Sequence, residues 1–202
     1  MPERSQRELD LAAAVGRTIP DLVGPDPVVV FCGINPGLWS AATGLHFARP
    51  GNRFWKVLAG AGFTDGVLDP AEQSRLPGLG LSISNLVDRA TASAAELSTS
   101  ELRAGAVALE DKVRRWRPGF VAFVGMQAYR TALRRPRAGI GRQPEKFGGA
   151  DVWLLPNPSG LQARYQLAEM VDTFSELRHA AFGSGDGAAA RNTHRREAFP
   201  LP

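Results

Sequence analysis

The sequence predicts an α/β fold, a parallel sheet of four strands with helices on both faces. Three observations predict it. Short apolar runs bounded by Gly and Pro alternate with longer stretches whose apolar residues recur at helical spacing. The run VVVFCGI at 28–34 is apolar throughout and rich in branched residues, as a strand buried on both faces requires. Two of the runs end in turns of the same make-up, Gly33-Ile34-Asn35-Pro36-Gly37 and Asn157-Pro158-Ser159-Gly160-Leu161. Right-handed crossovers between such strands bring their carboxyl ends to one edge of the sheet.

The elements follow in order. Ser5–Arg17 sets Leu9, Ala12 and Ala13 at helical spacing and predicts a helix within an N-terminal extension, 1–24. Pro20–Pro27 is a connector, and the main domain spans 25–182. Val28–Ile34 is the first strand; its terminal Gly/Pro turn is not expected to continue into regular structure. Asn52 caps a helix from Arg53 to about Ala61, with Phe54, Trp55, Leu58 and Ala59 as its apolar face. Leu79–Val87 is the second strand and leads into Asp88-Arg89. Ser98–Trp116 is a long helix, capped by Ser98 or Ser100 and stopped by Pro118. Phe120–Gly125 is the third strand, with a short helix near Gln127–Leu133. Val152–Leu155 is the fourth strand and Gln166–Phe182 the last helix. Gly183–Pro202 is Gly/Ala/Arg-rich without periodicity and reads as a disordered tail.

Composition narrows the function. With 202 residues, 44% of them hydrophobic, the chain can bury one good core. It has no run of about 18 apolar residues, so no membrane helix is expected. The polar start, Met1–Asp10, is unlike a secretory signal. Together these point to a cytoplasmic protein, nucleoid-associated in a prokaryote. The single cysteine, Cys32, excludes a disulfide framework and any Cys-clustered zinc or iron–sulfur site. His46, His179 and His194 lack metal-ligand spacing, so neither a metal nor a cofactor is expected. No Gly-x-Gly-x-x-Gly follows the first strand, which argues against a dinucleotide-binding enzyme.

The net charge is +4, but nine basic and no acidic residues lie between Lys112 and Arg142. That run reads either as the solvated face of an arginine-rich protein or as an electrostatic footprint for a polyanion. Arginine outnumbers lysine 21 to 3. The excess suits phosphate recognition, because the guanidinium fork matches phosphate oxygens; it equally fits a compositional bias.

Candidate site residues gather at the carboxyl edge, where open α/β sheets bind ligands. Asn35 is set there on a Gly/Pro turn, with Asn85, Asp88 and Asn157 at other strand ends. Phe47 supplies a flat apolar plate close by. A polar amide beside such a plate suits a planar ring such as a nucleobase.

The motifs GINPG, TGLHFARPGNRFWKVL, NLVDR and LPNPSGL, spread over roughly residues 28–180, together resemble the mismatch-specific uracil-DNA glycosylases, the branch that includes thymine-DNA glycosylase. The resemblance implies a three-layer α/β/α fold with a four-stranded parallel sheet. It implies excision of uracil, with thymine or modified pyrimidines as further candidates, from mispaired or damaged positions of double-stranded DNA. The nucleotide is flipped out and a wedge fills the gap. Carried over by residue, Asn35 positions the attacking water and Phe47 stacks on the flipped base. Backbone groups around Ile34 and Phe47 read the base edge, with Asn157 in the same base-binding set. Gly160, Leu161 and Arg164 form the wedge loop.

Leu161 on a Gly-containing loop makes a reasonable apolar plug, since such wedges stabilise unstacked steps. An amide does not titrate, so Asn35 can hold a water but cannot act as a strong base. Asp88 is the carboxylate placed near the same edge, where it could steady an oxocarbenium sugar or polarise water. Its other reading is an ion pair with Arg89 or a neighbouring loop. Only Lys56, Lys112 and Lys146 are present, and none lies in a recognised motif. A monofunctional, monomeric hydrolase that leaves an abasic site is therefore expected. The competing reading is a non-catalytic DNA-damage or nucleotide-binding module on the same fold. Three departures from the family pattern stand out. Gln162-Ala163 separates Leu161 from Arg164, Asn85 lies where some relatives carry lysine, and Trp39 is bulky for the pocket loop.

Overall fold

In a computed structural model, which describes residues 6–159 and 165–183, the sheet is built around a strand with no exposed residue. That strand is β1, Val29–Gly33, and all five of its residues are buried. It is flanked by β2 (Leu81–Asn85) and β3 (Phe120–Val124), both parallel to it. Outward from β3 lie β5 (Ala150–Leu155), parallel, and β4 (Gly141–Phe147), antiparallel. The order is β2-β1-β3-β5-β4.

The sheet thus has five strands, not four. β4 escapes a reading by hydrophobic runs because it carries Arg142, Pro144, Glu145 and Lys146 and buries only Gln143 and Phe147. A Pro and a charged face are what an edge strand tolerates. The overlooked signal is Gly148-Gly149. Phe147 pairs with Ala150, so the two glycines form a two-residue hairpin loop. Both have positive φ, +58° and +95°, as a tight hairpin of the type I′ class demands.

Alternation along the strands divides the core between two faces. Val29, Phe31, Ala122, Val124, Trp153 and Leu155 face one side, with α3 (Phe54–Gly60) and α6 (Leu167–Phe182) packed over them. Cys32, Val121, Phe123, Val152 and Leu154 face the other, under α4 (Thr99–Trp116) and α5 (Met126–Ala132). This is the expected three-layer arrangement. α1 (Gln6–Ala13) is shorter than the spacing suggested, and α2 (Leu38–Thr43) was not anticipated. α2 starts directly after Gly37, so the Gly/Pro turn does run into a helix. Ser98 is the cap of α4, with a reciprocal capping box to Glu101. Asn52 serves α3 from one residue further out: its Oδ1 accepts the Phe54 N–H at 3.0 Å.

α4 approaches the segment after β2 very closely at Gly105. A Cβ there would lie 2.0 Å from the Leu86 carbonyl oxygen. Backbone cannot retreat as a flexible side chain can, so the contact fixes how far the β2 exit stands from the helix. Gly105→Ala improves helix propensity by about 1 kcal/mol, yet overpacking against backbone costs about 1–3 kcal/mol. A lowered urea midpoint is expected; an unchanged or raised midpoint would show that the contact is soft.

Candidate active site at the carboxyl edge

The exits of β1 and β2 stay hydrogen-bonded beyond the strands. Gly33 O accepts from Leu86 N and Ile34 O from Val87 N, each at 2.9 Å; Pro36 O accepts from Thr91 N at 3.2 Å. Arg89 secures the second chain to α4 by an ion pair with Glu101. That guanidinium, with the Ser98 donors, holds the Glu101 carboxyl down at about 2. Asn35 therefore stands on a turn braced from one side along its length.

Its amide is oriented without ambiguity. Nδ2 donates to the Arg89 carbonyl at 2.9 Å and to Thr91 Oγ1 at 2.7 Å. The first partner can only accept. The second spends its own proton on Ser93 O at 2.8 Å, so it too must accept. The NH₂ end is fixed toward the protein, and Oδ1 is left as an acceptor with no partner among the described residues. Asn35 is half-buried, so that oxygen can hold a water.

Phe47 has φ +52°, an uncommon conformation for a bulky residue. Its neighbours hold it there. His46 N donates to Gln73 Oε1 at 2.8 Å and Ala48 N to Ser40 Oγ at 3.3 Å. The Phe47 N–H between them has no acceptor among the described residues. One face of the Phe47 ring lies on Phe54, with centroids 3.9 Å apart and planes 17° from parallel.

The floor between these groups is Gly33. A Cβ there would come within 2.7 Å of Asn85 Oδ1 and 3.5 Å of Phe47 Cζ. Asn85, paired in register with Gly33, is only 8% exposed, and its side chain makes no hydrogen bond among the described residues. Its amide atoms keep access to solvent, so they can meet a ligand at this edge and are not orphaned in the interior. The sequence set Asn85 at the right edge, but its neutrality read as a departure, not a function. The usable signal was its place at the last position of a buried strand beside the Asn35 turn. Ile34 packs against the end of β3, with its Cδ1 3.0 Å from where a Gly125 Cβ would sit.

Other expected site residues sit differently. The Asp88 carboxylate lies 3.3 Å from Lys112 Nζ, which also pairs with Asp21 at 3.0 Å; Arg89 is not its partner. Burial lowers the Lys112 pKa, but Asp21 and Asp88 more than offset this and raise it. Asp88 is thus turned toward α4, beside a groove lined by Asn85, Leu86, Gly105 and Lys112. Asn157 Oδ1 accepts the Ser159 N–H at 3.0 Å, shaping the turn after β5. Arg53 ties the flanks of the following loop together: its N–H reaches Pro158 O at 3.0 Å and its Nη1 reaches Tyr165 O at 2.7 Å. Gly160, Leu161 and Arg164 lie outside the described residues. Cys32 is buried, and burial, with Asp21 adding to it, pushes its thiol well above the usual range, so it is no nucleophile.

An aromatic plate, the Asn85 amide, the Phe47 N–H and the Asn35 Oδ1, the last three without partners among the described residues, gather at one sheet edge, an arrangement that can receive a planar polar ring and a water. The chain also matches the family model described as "Uracil DNA glycosylase superfamily" over residues 20–179. The protein therefore belongs to the uracil DNA glycosylase superfamily, whose members are hydrolases acting on DNA, and this supports a uracil glycosylase role. A similar fold occurs in the solution NMR structure of a Methanosarcina acetivorans protein provisionally named a uracil DNA glycosylase. Its TM-score is 0.56 at 17% identity, covering 82% of this chain and 99% of that one.

His46 links the site to pH. It is 2% exposed and its Nε2 donates to Pro20 O at 3.1 Å. Burial lowers its pKa from 6.5, with the Pro20 carbonyl and Asp21 opposing the shift. The unfolded chain therefore takes up this proton at higher pH than the folded one. The stabilisation is complete above about 6.5 and is lost as pH falls through the lower folded value. The denaturation midpoint should drop between pH 7 and 5, and drop less in His46→Gln. Equal drops in both proteins would remove His46 as the cause.

Proposed function

We propose that the protein is a monofunctional uracil-DNA glycosylase that flips a mispaired uracil out of duplex DNA and hydrolyses its N-glycosidic bond, leaving an abasic site. The observation that carries this reading is the fixed amide of Asn35, whose free Oδ1 can accept a hydrogen bond from a water at the sheet edge. A base within a duplex cannot present its sugar carbon to that water, so extrusion is required, and it costs least at a mispair. Phe47, already backed by Phe54, offers its outer face to the flipped ring. The Phe47 N–H and the Asn85 amide are suited to the ring's polar edge.

The glycosidic electron pair leaves with the ring nitrogen, and the water oxygen bonds to the sugar carbon while its proton passes to solvent or to the departing base. With no titrating base on Asn35, bond cleavage leads and water follows. The free Phe47 N–H suits the negative charge that develops on the departing base. Leu161 and Arg164 are our candidates for the wedge; Arg53 joins Pro158 and Tyr165, the described residues on either side of them. The Asn157 oxygen accepts one hydrogen bond within its turn, and its NH₂, without a partner among the described residues, is the donor it can offer the base. The pairing of Asp88 with Lys112 favours a structural role for that carboxylate.

Base release from a duplex with uracil opposite guanine, followed by alkaline strand scission, tests the proposal. Asn35→Ala should lower the rate about 100-fold or more, while Asp88→Asn should change it less than about threefold, as expected for an exposed ion pair. Full activity in Asn35→Ala would refute the role of Asn35. Salt-sensitive binding with no release from uracil, thymine or ethenocytosine duplexes would instead identify a non-catalytic damage-binding module.

Asn85→Ala gives an independent reading. The side chain makes no hydrogen bond among the described residues, so the denaturation midpoint should hold. Release should fall about tenfold, equivalent to about 1.4 kcal/mol of barrier. A loss of stability with unchanged release would show that Asn85 serves packing alone.

A further inference from the structure

The chain between α5 and β4 has an unusual construction. Three of its carbonyls are pulled inward by side chains. Arg130 Nε and Nη2 both donate to Ala138 O, at 2.9 and 2.6 Å. Gln143 Nε2 donates to Gly139 O and Gly141 O, both at 2.8 Å, and Gln143 is 8% exposed. Peptide units are planar and trans here, so an inward C=O turns the N–H of the next residue outward. The N–H groups of Gly139 and Ile140 therefore face away from the brace, and neither has an acceptor among the described residues. A Cβ at Gly139 or Gly141 would meet nothing within 4 Å, so the approach is open. Arg134 and Arg137 flank the loop, are exposed, and make no ion pair among the described residues.

Consecutive outward N–H groups form an anion-binding concavity. We propose that residues 134–141 form a phosphate-binding nest that grips the DNA backbone at a distance from the base site. The inference rests on the carboxyl edge being the DNA-facing side. β4 is antiparallel, and its first residue, Gly141, pairs with Leu154 near the carboxyl end of β5. The loop therefore reaches the same edge as Asn35. Three strand steps separate β4 from β1, about 14 Å at the usual strand spacing. At about 3.4 Å of rise per nucleotide, that span places the gripped phosphate about four steps from the flipped nucleotide. Most of the remaining basic run is used otherwise: Lys112 pairs with Asp21 and Asp88, Arg114 with Glu110 and Asp111, Arg135 with Glu145, and Arg142 with Asp151, while Arg115 and Arg117, exposed and without an ion pair among the described residues, lie at the opposite edge.

The test is binding of the full chain to an undamaged duplex across a salt series. Arg134→Ala with Arg137→Ala should reduce the slope of log K against log salt by about 1–2. Arg115→Ala with Arg117→Gly removes the same charge at the opposite edge, where α4 runs into β3, and should leave the slope nearly unchanged. Gln143→Leu frees the two glycine carbonyls without altering charge and should also weaken binding, provided its thermal transition stays cooperative. A neutral methylphosphonate about four nucleotides from a uracil should weaken wild-type binding and weaken that of the Arg134/Arg137 variant less, since the variant keeps only the backbone donors. Equal slopes for the nest and control pairs, or equal methylphosphonate effects in both proteins, would overturn the nest. Binding to undamaged DNA needs no base release, so a failure of the glycosylase reading and a failure of the nest are separate results.

Discussion

The site depends on the hydrogen bonding that continues between the exits of β1 and β2 after regular strand ends. A typical hydrogen bond contributes only about 0.5–1.5 kcal/mol net, but a buried group left without one costs about 1–3 kcal/mol. The carbonyls of Gly33, Ile34 and Pro36 escape that penalty because the N–H groups of Leu86, Val87 and Thr91 satisfy them. The Asn35 side chain is one more rung of the same ladder, through Arg89 O and Thr91 Oγ1. Its geometry is thus inherited from backbone pairing and not from a flexible side-chain choice. The Arg89–Glu101 pair and the close contact at Gly105 then hold the second chain against α4.

Phe47 shows the opposite economy, a locally unfavourable conformation held by its surroundings. A left-handed backbone costs a non-glycine residue about 1–2 kcal/mol. An aromatic stack such as that on Phe54 returns about 0.5–1.5 kcal/mol. The neighbouring amides, held by Gln73 and Ser40, give the chain little freedom to relax. One consequence is a ring edge laid over Gly33, where a side chain would collide with it and with Asn85. Another is a Phe47 N–H that neither side of the loop satisfies. Strain and an unpaired donor in one residue fit a position shaped for a ligand.

Much of this was legible in the sequence because it rests on local signals. The buried run at 28–34, the capped helix at 98–116 and the Asn-Pro turns locate the sheet edge and Asn35 upon it. The missed elements carry weak local signals. β4 is an edge strand whose charges and proline disguise its alternation, and α2 hides behind a Gly/Pro turn that looks terminal. At the site, Phe47 was legible as an aromatic close to a turn, but its left-handed backbone and free N–H were not, because Gln73 and Ser40 impose them from distant sequence. Asp88 was legible as a carboxylate at the right edge. Its direction is set by Lys112, a helix and 24 residues away. The basic run was legible as charge, but a linear count cannot separate arginines used in ion pairs from those left facing solvent.

On the proposed reading, these features lead to one constraint on selectivity. An amide can hold water but cannot remove its proton, so barrier lowering must come mainly from the departing base. Groups that recognise the ring are then also the groups that stabilise its charge as it leaves. Phe47 N–H and Asn85 belong to that set, while Asn35 and Thr91 belong to the water side. A base that pairs poorly with its opposite leaves the stack cheaply, and a base that bears charge well breaks its bond cheaply. Selectivity in such a site is therefore largely the chemistry of the lesion itself, read through a rigid slot. That places the work of holding DNA on surfaces away from the slot, since groups at the reacting centre that bound every base alike would erase the discrimination.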